Sequence, residues 1–183
     1  MNSFKKVSTM EKDRQIQKTN TAIYNAFINL LQEKDYSKIR VSDIIDLANI
    51  GRSTFYAHYE SKEVLLKELC EDLFHHLFKQ VEPISFEDYL IHILNHFDQN
   101  KDSIATLLLS DDPYFLLRFK KELEHDFYPK LRQDYLSNET IPEEFLKQFA
   151  ISSFVETIKW WLHQRKRLSA KQLLQYYLIM IEN

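Results

Sequence analysis

Residues 42–65 read Ser42-Asp43-Ile44-Ile45-Asp46-Leu47-Ala48-Asn49-Ile50-Gly51-Arg52-Ser53-Thr54-Phe55-Tyr56-Ala57-His58-Tyr59-Glu60-Ser61-Lys62-Glu63-Val64-Leu65. Two short helices and a tight turn are legible in them. Ser42 stands as an N-cap before Asp43–Ala48, where Ile44, Ile45 and Ala48 share one face. Asn49-Ile50-Gly51 follows, and Gly51 is the only glycine in 183 residues. Asn49 beside it is of the type that tolerates left-handed backbone. A second helix then spans Arg52–His58. Phe55 and Tyr59, four apart, turn inward on Ile44, Ala48 and Ile50, which leaves Arg52, Ser53, Thr54, Tyr56 and His58 facing outward.

Long helices flank this pair. Upstream, residues 1–10 carry Lys5 and Lys6 and read as a loose arm. From Asp13 to Lys34, the residues Ile16, Ile23, Phe27, Leu30 and Leu31 recur at helical spacing, and Tyr36–Arg40 breaks the pattern. Downstream, Ser61 caps a helix that begins at Lys62 and runs through Leu66, Leu69, Cys70, Leu73 and Leu77 to about Val81, before Pro83. Two short helices joined by a tight turn between two long ones make a helix-turn-helix arrangement. Its outward face suits a duplex groove. Arg52, Ser53 and Thr54, at the start of the second helix, are the candidates for base edges, and Ser42, Tyr56, His58 and Lys62 for phosphates.

The remainder also reads as helices, so the fold class is all-α. Ser85 with Asp88 makes an imperfect capping box. Asp112-Pro113 is a cap followed by proline at the first helical position, opening a helix through Phe119, Leu123, Phe127 and Leu131 in which Pro129 predicts a kink. Pro142 opens a long helix reaching Lys166, and Ser169 with Gln172 caps the last one. A single glycine, where average usage would give about thirteen, excludes both the P-loop and the dinucleotide fingerprint. Four prolines do not supply the turns of a many-stranded β protein.

The net charge of −3 is unevenly divided. Residues 1–62 hold 10 Lys+Arg against 7 Asp+Glu, and residues 63–183 hold 14 against 20, a basic head on an acidic body. This predicts a domain border at 62/63, with only the head meeting a polyanion. One cysteine makes no intramolecular disulfide, and no signal peptide or uncharged apolar run of membrane-spanning length is evident, which points to the cytoplasm and to no membrane partner. No nucleophile elbow, glycine loop or paired-cysteine site suggests an enzyme, and no cofactor is expected. The carboxylates Asp111/Asp112 and Glu143/Glu144 fit helix starts, the basic run Arg165-Lys166-Arg167 fits a helix end, and Cys70 fits a core stripe.

The 42–65 stretch closely resembles the DNA-binding signature of TetR-family regulators, above all in Thr54-Phe55-Tyr56, His58-Tyr59 and Ser61-Lys62-Glu63. Asn49 departs from the family's frequent turn glycine and Gly51 from its frequent serine cap. Lys159-Trp160-Trp161-Leu162 and Ser169-Ala170-Lys171-Gln172-Leu173 are similar to the C-terminal domain of TetR-type regulators from Firmicutes. The resemblance implies a dimeric regulator whose last two helices pair with their symmetry mates. It also implies a palindromic duplex operator, a small-molecule effector, and repression as the usual output. The six consecutive apolar residues 176–181 independently suggest a covered surface, with Phe154, Ile158, Trp161, Leu174, Tyr177, Leu178 and Ile181 as its expected members. Tyr89, Phe97, Leu108, Phe115 and Phe119 are candidate walls of an effector cavity. Two further readings stay open. One is a metal sensor using His92 and His96, which share a helical face. The other is a co-regulator whose head contacts protein instead of DNA.

Overall fold

No glycine or proline interrupts the first 33 residues, and a single helix, α1, runs Asn2–Glu33. In this computed structural model, residues 2–78, 85–99, 104–110, 112–137 and 139–182 are described, with side chains from Arg14 onward. The loose arm expected at residues 1–10 is thus corrected to helix from Asn2, because nothing in its sequence stops one. A 3₁₀ turn, Tyr36–Lys38, leads to α2 (Val41–Ala48), α3 (Arg52–His58) and α4 (Lys62–Phe78). Val81, Pro83 and Asp111 lie outside the described residues. The chain forms two compact units, residues 1–69 and 70–183, that divide within α4 and not at its start.

In the N-terminal unit, Ile23, Phe27 and Leu31 of α1 are fully buried together with Ile39, Ile44 and Phe55. The α2 helix begins one residue before Ser42, so Ser42 sits in its first turn and Arg40 takes the cap position. Asp43 does the capping work there, accepting the Arg40 backbone N–H at 3.0 Å and the Lys34 ammonium at 2.6 Å. Those two bonds, Lys34 first, hold its carboxyl below the usual carboxylate range. Ser61 Oγ accepts the Val64 N–H and starts α4 as expected.

The turn between α2 and α3 is made by Asn49, at φ 52° and ψ 51°, and not by the glycine. Gly51 caps α3 at φ −78°, where any residue is at ease. A Cβ there would meet only Thr54 Oγ1 at 3.6 Å and Ser53 Oγ at 3.9 Å, ordinary contacts. Gly51→Ser should therefore stabilise the N-terminal unit by a few tenths of a kcal/mol through a restored cap. Its unfolding midpoint in a calorimetric melt should rise by about 2 °C; a fall would mean the added hydroxymethyl strains the turn.

The C-terminal unit holds the rest of α4, then α5 (Phe86–Gln99), α6 (Ile104–Leu109), α7 (Pro113–Glu122), α8 (Tyr128–Asp134), α9 (Glu143–His163) and α10 (Ala170–Glu182). Its capping signals work as the sequence suggests. Ser85 and Asp88 are bonded at 2.7 Å, Asp112 accepts the Phe115 N–H at 2.9 Å, and Ser169 and Gln172 exchange bonds. Pro129 does not break the α7–α8 run, because a π-helical turn at Leu123–Phe127 widens the backbone ahead of it. That widening absorbs the missing proline N–H and its clash with the previous turn. The α9 helix ends three residues short of Lys166, at His163. Arg167 then folds back to donate to the Leu162 carbonyl and to Asp98 on α5, both within 2.9 Å.

Candidate nucleic-acid interface

The α3 helix is short and is held from beneath. Phe55 is completely buried, Tyr59 nearly so, and the Phe55 ring stands 6.0 Å from Tyr59 and 5.4 Å from Tyr56. Tyr59 is pinned at its far end by a 3.2 Å bond to Glu68 of α4. The opposite face carries Arg52, Ser53 and Tyr56 in solvent, with Thr54 and His58 half-buried beside them. The Arg52 guanidinium lies 5.7 Å from the Tyr56 ring centre, an arrangement that limits the arginine's wandering. Ser42 is exposed in the first turn of α2. The five outward residues of α3 thus form a compact polar strip of donors on a rigid base.

Lys62, expected to grip a phosphate, has its ammonium engaged within the fold. Its ammonium donates to the Tyr36 carbonyl at 3.1 Å and the Ile39 carbonyl at 2.8 Å, and lies 4.3 Å from the Tyr36 ring centre. Position at a helix start favours a phosphate, whereas tertiary folding directs two of its donors to the 36–39 turn. Lys62→Ala should leave the Ile39 carbonyl without its ammonium partner, while the Tyr36 carbonyl keeps the Ile39 N–H, and should destabilise the N-terminal unit by about 1–2 kcal/mol. The salt dependence of DNA binding should stay as it is, and a flattened salt slope with unchanged melting would return Lys62 to the phosphate group.

The residues expected at a subunit contact are placed differently from that expectation. Phe154, Ile158, Trp161, Leu174, Tyr177 and Leu178 are all buried within the single chain, and Ile181 is half-buried. They belong to the core because α9 packs on α5, α6, α7, α8 and α10, which together cover its inner side. Phe127 and Phe154 stack at 4.6 Å, and Tyr177 donates to the Ala150 carbonyl at 2.9 Å. What α9 and α10 expose instead is Phe145, Phe149, Trp160, Tyr176, Ile179 and Met180, the last 78% exposed. Phe145, Phe149 and Met180 line a shallow groove of about 480 Å³. The signal for this second stripe was present as 145, 149, 156 and 160 at helical spacing, but Glu156 in its middle hid it.

The five candidate cavity residues Tyr89, Phe97, Leu108, Phe115 and Phe119 are also fully buried or nearly so. Phe119 meets Phe97 at 5.4 Å, Phe74 at 6.1 Å and Phe115 at 6.0 Å, so its rings fill space between helices. Tyr89 alone of the five borders a described cleft, with Phe78, Asp126 and Lys130. Burial pushes the Cys70 thiol up to about 12, which leaves it protonated and inert at neutral pH. The His92 and His96 rings are 5.6 Å apart. Burial, then His92 and His76, hold His96 below the usual imidazole range. Among the described residues no group of three or more His, Cys, Asp or Glu is arranged to hold a metal ion. Among them, too, no helix is long and apolar enough to cross a membrane.

Comparison with known proteins agrees with this geometry. Residues 23–69 match the profile of "Bacterial regulatory proteins, tetR family", and residues 84–183 match "Transcriptional regulator C-terminal region". A solved TetR transcriptional regulator from Streptococcus agalactiae 2603V is 72% identical, with a TM-score of 0.91 over 96% of this chain and 99% of that one. The dhaKLM operon transcriptional activator DhaS of Lactococcus lactis is 29% identical over 110 residues, 58% of this chain and 59% of its own length. The solved structure titled dihydroxyacetone kinase operon activator DhaS shares the fold, with a TM-score of 0.59. The regulator YxbF of Bacillus subtilis is 40% identical over 79 residues, 40% of this chain and 21% of its own length. With a neutral-to-basic helix-turn-helix unit, an all-helical second unit and both profiles matched, the chain belongs to the TetR family of bacterial transcriptional regulators.

Proposed function

We propose that the protein acts as a homodimer that binds an inverted-repeat duplex through α3 and changes its DNA affinity in response to a ligand held by the C-terminal unit. The observation that carries this reading is the polar strip of α3, with Arg52 steadied over Tyr56 on a fully buried Phe55. Arg52, Ser53 and Thr54 read base edges, while Ser42, Tyr56 and His58 contact phosphates on either side. Two copies related by a twofold axis require two half-sites about one helical turn, or a multiple of it, apart. The exposed stripe of Phe145, Phe149, Tyr176, Ile179 and Met180 supplies the subunit contact, since large apolar side chains grouped on neighbouring helices mark an interaction surface. The output is repression where the site overlaps a promoter. The similarity to an activator, DhaS, supports activation as the second reading.

Selection from a random duplex pool tests the reading. The wild-type protein should enrich an inverted repeat, and Arg52→Ala should relax preference at one base pair of each half-site. Enrichment of nothing, even at low salt, would overturn DNA recognition and favour a head that contacts protein.

A further inference from the structure

Tyr89 of α5 is 1% exposed, and among the described residues its hydroxyl has no hydrogen-bond partner. A buried hydroxyl gives up its hydration, and a fold ordinarily returns a partner for it. The Tyr89 ring borders a cleft of about 190 Å³ that it shares with Phe78 of α4, Asp126, and Lys130 of α8. Burial, then Asp126 and Glu122, push the phenol above its usual range, so it stays an O–H within the field of both carboxylates.

The charges around this cleft are also left apart. Asp126 and Lys130 stand at the i, i+4 spacing at which helical ion pairs form, yet they are not bonded to each other. Asp126 is half-buried and bonded through one carboxylate oxygen to the exposed His125, at 2.8 Å. The exposed Lys130 ammonium lies 4.7 Å from the centre of the Tyr89 ring, and among the described residues no carboxylate is bonded to it. Asp126 belongs to the π-helical turn Leu123–Phe127, and such turns are frequent at functional sites. A second cleft, of about 340 Å³, shares Asp126 and the half-buried Phe78 with the first.

These groups discriminate between classes of occupant. A simple anion suits Lys130 but meets Asp126 and Glu122. A simple cation suits Asp126 but meets Lys130. An apolar molecule leaves the Tyr89 hydroxyl as unpaired as before. A zwitterion satisfies all of them, and a cleft below the ~300–1,000 Å³ of drug-sized sites calls for a small one.

We propose that the cleft of Tyr89, Asp126 and Lys130 binds a small zwitterion of the α-amino-acid class with an apolar side chain. The ligand's carboxylate accepts from Lys130 and from the Tyr89 O–H, its ammonium donates to Asp126, and its side chain lies on Phe78. This rests on the ligand-responsive reading above and names the chemistry of the ligand.

Calorimetric titration of the full chain with L-leucine tests it, beside L-leucinamide and N-acetyl-L-leucine, which each lack one of the two charges. L-Leucine should bind, and at about 100 times its Kd should raise the melting midpoint by several degrees. Each blocked form should bind more than about tenfold more weakly. Tyr89→Phe loses only an unpaired hydroxyl, so without ligand it should melt no lower than wild type, and it should weaken L-leucine about tenfold. Lys130→Gln should erase the preference for L-leucine over L-leucinamide, and Asp126→Asn the preference over N-acetyl-L-leucine. No binding of L-leucine, L-methionine or L-phenylalanine, or equal binding of a blocked form, overturns the inference alone. An early melt of Tyr89→Phe overturns it too, by showing the hydroxyl bonded within the fold. L-Leucine that binds as stated but leaves duplex affinity unchanged upholds the site and overturns the ligand response.

Discussion

Phe149→Glu should give a folded monomer, and Ile158→Glu should not fold. The two residues lie nine apart on α9, yet Phe149 is 54% exposed in the single chain and Ile158 is completely buried. A glutamate at 149 stays hydrated in the isolated chain and becomes costly only when a second copy covers it, so dimerisation fails while the helix content survives. A glutamate at 158 is driven in beside the buried Phe154, Val155, Trp161 and Leu162 of the same helix with no partner for its charge, a loss of more than about 4 kcal/mol. That is a large part of the roughly 5–15 kcal/mol by which a domain is held folded. Light scattering should report half the wild-type mass for Phe149→Glu and aggregate or no soluble protein for Ile158→Glu. An unchanged dimer for Phe149→Glu would move the subunit contact away from this stripe.

Phe55→Ala should abolish DNA binding while leaving the C-terminal unit intact. Phe55 is the central side chain under α3, buried completely between the rings of Tyr56 and Tyr59. Truncation removes its transfer energy and leaves a cavity, together about 3–5 kcal/mol. Since the chain forms two compact units, that loss falls on the N-terminal one. Calorimetry should then resolve an early transition from residues 1–69 and a second near the wild-type midpoint. One cooperative transition displaced as a whole would show that the units stabilise one another strongly.

How well the sequence served depended on the range of each interaction. The α2–turn–α3 reading rests on neighbours within four residues, and the helices appear within two residues of the expected bounds. Capping at Asp112 and Ser169 was legible for the same reason. Sequence pattern did not separate the two sides of α9. Ile158 and Phe149 are equally apolar, and only packing by five other helices decides that one is inside. The α6 helix was not anticipated because Ile104-Ala105-Thr106-Leu107-Leu108-Leu109 is apolar nearly throughout and shows no helical period. Lys62 was placed by its position at a helix start, while its carbonyl partners lie 26 and 23 residues earlier. Sequence alone leaves open whether Phe97, Phe115 and Phe119 line a cavity or fill a core, since wall and filling are built from the same residue types.

In the proposed reading α3 lies in the major groove twice per site, with Arg52 at base edges. Methylation interference on the selected duplex tests it most directly, because methyl groups on guanine N7 project into the major groove and those on adenine N3 into the minor one. Interference is expected at guanines placed symmetrically in two half-sites, with one guanine per half-site losing its effect in Arg52→Ala. Interference confined to adenine N3, or an identical guanine pattern in Arg52→Ala, would contradict it.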